Sequence, residues 1–227
     1  MYLPSVTDIR KFFIGELNDE AFTMDKTGQK TIELIGANFI ADEPVIFGEV
    51  NQYYVDAEIT WYENQSTNIN DIYGVGQQKP PKAWQYAANE HGEINSNYGH
   101  LIWSDKYHNQ YQQVIKELCE NNPESRRASM IYQRPSIWHE YKENGKNDFI
   151  CTNTVTYYIR DNALHAVVQM RSNDVIFGYR NDYAWQKHVF DLLRDDLYFN
   201  GIHLEEGNIH WQVQNLHVYE RHFDLVK

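Results

Sequence analysis

The fold turns on residues 149–174, FICTNTVTYYIRDNALHAVVQMRSND. Two runs rich in β-branched and aromatic residues flank Asp161-Asn162, a pair that tolerates the positive φ of a two-residue turn, so the stretch reads as a β-hairpin. With that pair at the tip, Cys151 falls opposite Ser172 and next to Arg171. An arginine beside a cysteine favours the thiolate, which is a nucleophile near neutral pH. The alternative is a buried core cysteine. Arg171 weighs against it, because a guanidinium among apolar strand residues requires an anionic partner.

Before the hairpin, DKTGQKTIELIGANFIADEP gives a turn at Thr27-Gly28 and then a strand with Ile32 and Leu34 on one face. NQYYVDAEITWYEN has helical spacing, with Tyr54, Val55, Ile59, Trp61 and Tyr62 as its apolar stripe. Glu58 falls on that face. Buried there, it would have a raised pKa and shuttle protons; at the stripe's edge it would simply reach water. QQKPPKAW reads as loop. YHNQYQQVIKELCENNPESRR reads as a helix stopped near Asn121-Asn122-Pro123, with Cys119 as core packing. Arg126 and Arg127 follow, either a solvated surface pair or half of a phosphate site.

Strand-like residues occupy 128–134. After the hairpin, a helix is expected from about Asp182 to Leu197, with Trp185, Val189, Leu192 and Leu193 inward, and IHWQVQNLHVYE is a last strand. His217 and Tyr219 share one face of it and suit hydrogen bonds to a sugar hydroxyl. Segregated strands with a few long helices argue for an α+β domain on one mixed sheet. None of the ten histidines has metal-ligand spacing, so no metal is expected.

At 227 residues the chain suits one substantial core, and 42% hydrophobic with 15% aromatic residues excludes disorder. A net charge of −12 argues against nucleic-acid binding, while a local arginine cluster still suits one small anion. Two distant cysteines, no signal-peptide pattern and a mean hydropathy of −0.68 give the expectation of a cytoplasmic protein with no membrane span.

ESRR, a strand cysteine, MRSND, Gly178-x-x-x-Asp182 and HVY occur in the order and approximate spacing of the thymidylate synthase family, which the chain resembles from DKTG to HVY. INSNYG, CTNTV, MRSNDV and RNDYAWQK look most like the branch that hydroxymethylates deoxycytidylate in T-even-like bacteriophages. The resemblance implies a thymidylate synthase-like fold over 1–227 as a single catalytic domain, a sheet-to-sheet homodimer, and 5,10-methylenetetrahydrofolate as cosubstrate. Cys151 would add to C6 of the pyrimidine, with Glu58 as proton relay and Tyr98 near the nucleophile. Arg171, Ser172 and Asn173 would hold the nucleotide with Lys26, where synthases have arginine, and with Arg126 and Arg127 of the partner subunit. His217 and Tyr219 would take the 3′-hydroxyl, and Trp84, Asp174 and Gly178 the folate.

Asp182 stands where synthases read uracil with asparagine. A carboxyl group there suits cytosine's N4 donor and unprotonated N3, although the same residue would also suit a helix N-cap. Thr152, Ala87 and Asn181 depart from the synthase pattern, the last two making the folate side less apolar and open to water. The chain ends eight residues after Tyr219, a short tail for the family. Rival readings are a uracil-directed hydroxymethylase, a Cys-His-Asp hydrolase, and a nucleotide-binding protein without turnover.

Overall fold

The structure, a computed structural model, describes residues 3–25, 28–74 and 78–227. Lys26 and half of the expected Thr27-Gly28 turn lie outside the described residues. The strands are β1 (Thr23–Met24), β2 (Lys30–Ile40), β3 (Ser129–Ile131), β4 (Thr152–Arg160), β5 (Ala163–Met170), β6 (Asn173–Asp174) and β7 (Glu205–Tyr219). The helices are α1 (Val6–Asn18), α2 (Gln52–Glu63), α3 (Lys82–Ala87), α4 (Tyr98–Trp103), α5 (Gln110–Lys116), α6 (Ile137–Glu140) and α7 (Gly178–Phe199). The chain forms two compact units, one of residues 1–50 with 156–227 and one of residues 51–155.

The first unit is a mixed sheet in the order β1-β2-β7-β5-β4, with β6 beside β7. β2 and β7 pair antiparallel, setting Ile32 opposite Val218 and Phe39 opposite Trp211; β5 lies parallel to β7, with Val168 opposite Trp211. Asp161 and Asn162 take φ of 51° and 59°, as a two-residue hairpin turn with right-handed strand twist requires. Ser5 caps α1 through a capping box with Asp8. The 22-residue α7 buries Trp185, Val189, Phe190, Leu193 and Leu197, a three-to-four residue period that faces one side of the helix. Leu192, expected inward, is only half-buried because Phe190 and Leu193 fill that face.

α7 also begins at Gly178, a full turn before the expected start. The reason lies upstream: Asp174 Oδ1 accepts from the backbone N–H groups of Ile176 (3.0 Å), Phe177 (2.6 Å) and Gly178 (3.3 Å), satisfying donors the helix cannot. Asp182 therefore sits inside the helix, and its reading as an N-cap is overturned.

The second unit is built from short pieces. Asn51 caps α2 by accepting from Tyr54 N (3.2 Å), and Asn97 caps α4 by accepting from His100 N (2.7 Å). α5 passes into one π-helical turn, Glu117–Asn121, before the chain breaks at Pro123. Cys119 on that turn is half-buried rather than core. β3 lies beside the start of β4.

Candidate active site

Cys151 immediately precedes β4, half-buried, with its Sγ 3.9 Å from the Phe149 carbonyl oxygen. Buried polar side chains fix the chain on both sides of it. Thr152 Oγ1 donates to Tyr98 Oη at 2.9 Å, so the residue after Cys151 is tied to the first residue of α4. Tyr98 is itself clamped between Tyr62 (stacked, 5.4 Å) and Tyr132 (edge-on, 5.1 Å). Three residues before the thiol, Asp148 Oδ2 accepts from the backbone N–H groups of Asn95 (2.6 Å) and Ser96 (2.8 Å). Burial raises the Asp148 pKa, and the Ser96 hydroxyl and the two amides oppose that shift. α4 lies hard against α2: a β-carbon on Gly99 would fall 1.8 Å from the Tyr62 carbonyl oxygen.

Glu58 is buried in α2, which decides between its two readings. Tyr54 Oη donates to Glu58 Oε1, and Trp84 Nε1 donates to Glu58 Oε1 (3.0 Å) and to Tyr54 Oη (2.8 Å). Burial raises the Glu58 carboxyl to about 7 against the pull of these two donors. A carboxyl group at that value is half-protonated near neutral pH. The indole N–H of Trp84 is committed to this cluster, which leaves its ring as the part that a flat ligand would meet.

Arg126 and Arg127 are exposed. Arg127 pairs with Glu117 (2.9 Å), whose carboxyl is held below its ordinary pKa by the Ser125 hydroxyl first and Arg127 among the lesser causes.

In the sheet unit, Asn173 is buried and bridges two groups: its Nδ2 donates to Asp182 Oδ2 (2.8 Å) while its Oδ1 accepts from Trp211 Nε1 (3.2 Å). Trp211 thus orients the Asn173 amide so that a donor faces Asp182, holding that carboxyl oxygen as an acceptor. Asp174 spends Oδ1 on capping α7, while its buried Oδ2 takes no hydrogen bond among the described residues. An orphaned buried carboxylate oxygen fits the N–H donors of a folate's pterin. A β-carbon on Gly178 would meet Asn173 Nδ2 at 3.0 Å and Asp174 Cβ at 3.2 Å, so glycine keeps both side chains in place. His217 and Tyr219 share a face of β7 with ring centroids 5.0 Å apart. Arg171 and Ser172 follow β5 directly, half-buried, and the Arg171 carbonyl accepts from Asn215 N at 3.2 Å.

The structure thus ties Tyr98 to Thr152, the neighbour of Cys151, and brings together Glu58 with Trp84, and Asn173 with Asp174, Gly178 and Asp182. Tyr54, Asp148 and Trp211 were missed. Tyr54 counted only as apolar stripe, yet its i, i+4 spacing from Glu58 was the available signal; Asp148 and Trp211 act over long sequence separations and left none. Among the described residues there is no His/Cys/Asp/Glu group that could hold a metal, and no helix is long and apolar enough to cross a membrane.

The fold is that of a thymidylate synthase: the bacteriophage T4 enzyme superposes with a TM-score of 0.73 over 92% of this chain and 77% of its own, at 22% identity. The sequence model of the thymidylate synthase family matches residues 17–227, and the chain belongs to that family. The deoxycytidylate 5-hydroxymethyltransferases of Enterobacteria phages T4 and T6 are 51% identical over 98% of this chain and 89% of their own. The thymidylate synthase of Corynebacterium aurimucosum is 26% identical over 89% of this chain and 74% of its own.

Proposed function

We propose that this chain is a deoxycytidylate 5-hydroxymethyltransferase. The observation that carries the reading is its 51% identity, along 98% of its length, to phage enzymes of that name. Residues 1–227 serve as one catalytic domain in the cytoplasm. The thiolate of Cys151 adds to C6 of dCMP, turning C5 into an enamine carbon that takes a one-carbon unit. 5,10-Methylenetetrahydrofolate supplies that unit at the oxidation level of formaldehyde. C5 then loses its proton and the new carbon's bond to the folate nitrogen breaks, which releases tetrahydrofolate and leaves an exocyclic methylene. Water adds to that methylene, Cys151 departs from C6, and the product is 5-hydroxymethyl-dCMP.

Glu58 moves protons in this sequence, a role supported by its burial and by a pKa near neutrality. Tyr98, through Thr152, steadies the chain at the nucleophile. Asp182 accepts from cytosine N4–H and shares a proton with N3, and its bond to Asn173 supports that use. Uracil would leave these polar groups mismatched. Lys26, Arg171, Ser172 and Asn173 hold the nucleotide, His217 and Tyr219 its 3′-hydroxyl, and Trp84, Asp174 and Gly178 the folate.

The working form is a homodimer, sheet to sheet, in which Arg126 and Arg127 reach the phosphate in the partner's site. Ile35 on β2 of the sheet unit, 71% exposed, is an apolar side chain that such a contact would cover.

Mass spectrometry of products from dCMP and from dUMP, each incubated with 5,10-methylenetetrahydrofolate, tests the reading. Addition of one CH2O to dCMP alone is expected. Tight dCMP binding with no product and no release of tritium from C5 would instead make the chain a binding protein.

A further inference from the structure

Tyr54, Glu58 and Trp84 close a triangle of hydrogen bonds inside residues 51–155. Both donors converge on one oxygen of the carboxyl group, Oε1, whereas Oε2 accepts no hydrogen bond among the described residues. Tyr54 and Glu58 are four residues apart on α2, so helix geometry alone brings them together. Tyr54 is buried, and burial first, then the charge of Glu58, pushes its phenol well above the ordinary value, so it stays protonated and always donates.

We propose that Tyr54 is a positioning residue for the reaction: by occupying Oε1 it confines proton exchange on the Glu58 carboxyl group to Oε2. Its catalytic meaning rests on the function proposed above; its chemistry does not. The groups that face Glu58 are few. Tyr54 shares its helix and Trp84 comes from α3. Tyr73 lies edge-on to Tyr54 at 6.3 Å and stacks on Tyr53 at 5.7 Å. Among the described residues no cation acts on Glu58, so its carboxylate is stabilised by Tyr54 and Trp84 alone. Loss of the Tyr54 hydroxyl must therefore move the titration of Glu58 to higher pH, and a more acidic phenol must move it to lower pH.

The experiment is a 13C NMR titration of protein labelled at glutamate Cδ, with Glu58→Gln used to assign the resonance. Tyr54→Phe keeps the ring, and 3-fluorotyrosine placed at position 54 strengthens the donor. The midpoint of Glu58 is expected to rise in the first variant and fall in the second. In parallel, whichever limb of the dCMP pH–rate profile Glu58 governs should move in the same directions. For Tyr54→Phe, kcat at neutral pH should drop about tenfold and KM for dCMP should change less than about twofold. An unmoved midpoint in folded Tyr54→Phe overturns the proposal, as does a moved midpoint with an unchanged pH–rate profile. If Tyr54→Phe does not fold, the fluorotyrosine protein decides alone. A wild-type protein that turns over no dCMP overturns the proposed function instead, and the NMR midpoints still decide whether Tyr54 controls Glu58.

Discussion

Residues 51–155 and the rest of the chain bury different things. The sheet unit has an 11-residue strand, a 15-residue strand and a 22-residue helix, whose backbone groups satisfy one another. Its core is accordingly apolar, with Ile32, Phe39, Trp211 and Leu193 fully covered. Residues 51–155 have helices of only 4–12 residues joined by irregular chain, and side chains must supply the missing partners. Of the twelve buried polar side chains among the described residues, eight lie there, Glu58, Asn97, Asp148 and Thr152 included, against four in the sheet unit. The proposed nucleophile and proton relay lie in the polar region. The residues proposed to recognise base, sugar and folate stand mostly at the ends of the regular elements. Reactive groups need perturbed surroundings, and recognition groups need rigid mounting.

Substitutions in each region test that contrast. Cys151→Ser should give the largest effect, a loss of about 10⁴-fold or more in hydroxymethylation because a serine hydroxyl does not ionise near neutral pH, with dCMP binding retained by calorimetry. Asp182→Asn should leave the fold intact and change the ratio of kcat/KM for dCMP over dUMP by about 10² or more, read from product mass. A variant that loses both substrates equally would show that Asp182 serves rigidity rather than recognition. Asp148→Ala should cost about 3 kcal/mol in urea unfolding, since it strands the amides of Asn95 and Ser96. A cost below about 1 kcal/mol would mean the polar core is not structural.

A pH dependence of similar size comes from Glu58. Glu58 titrates at about 7 in the folded chain and near 4.5 when unfolded, so between those values the folded protein holds a proton that the unfolded chain releases. Its contribution is full below about pH 4.5 and declines by about 3 kcal/mol as pH rises through 7. Urea midpoints at pH 5 and pH 8 should therefore differ more in the wild type than in Glu58→Gln.

Local pattern made much of this readable. The stripe of α2 and the turn at Asp161-Asn162 depend on neighbours in sequence, and the structure bears out both the helix and the turn. The start of α7 was not readable in that way. Its cap is Asp174, four residues upstream of Gly178, and a helix whose capping side chain lies in a preceding strand gives no Ser/Thr/Asp signal at its own border. The site divided similarly. Cys151, Glu58, Asp174 and Asp182 follow family motifs, and Glu58's burial settled a choice that spacing alone left open. Trp211's hold on Asn173 joins residues 38 apart and becomes visible only once β6 and β7 are side by side.

The contact at Gly99 has a consequence for how such an enzyme changes over generations. Where two helices meet main chain to main chain, no choice of side chain can widen or relax the joint. Position 99 is closed to every other amino acid unless α2 and α4 move apart together. Change in the frame carrying Glu58 and Tyr98 is thus confined to the side chains mounted on it, such as Tyr54.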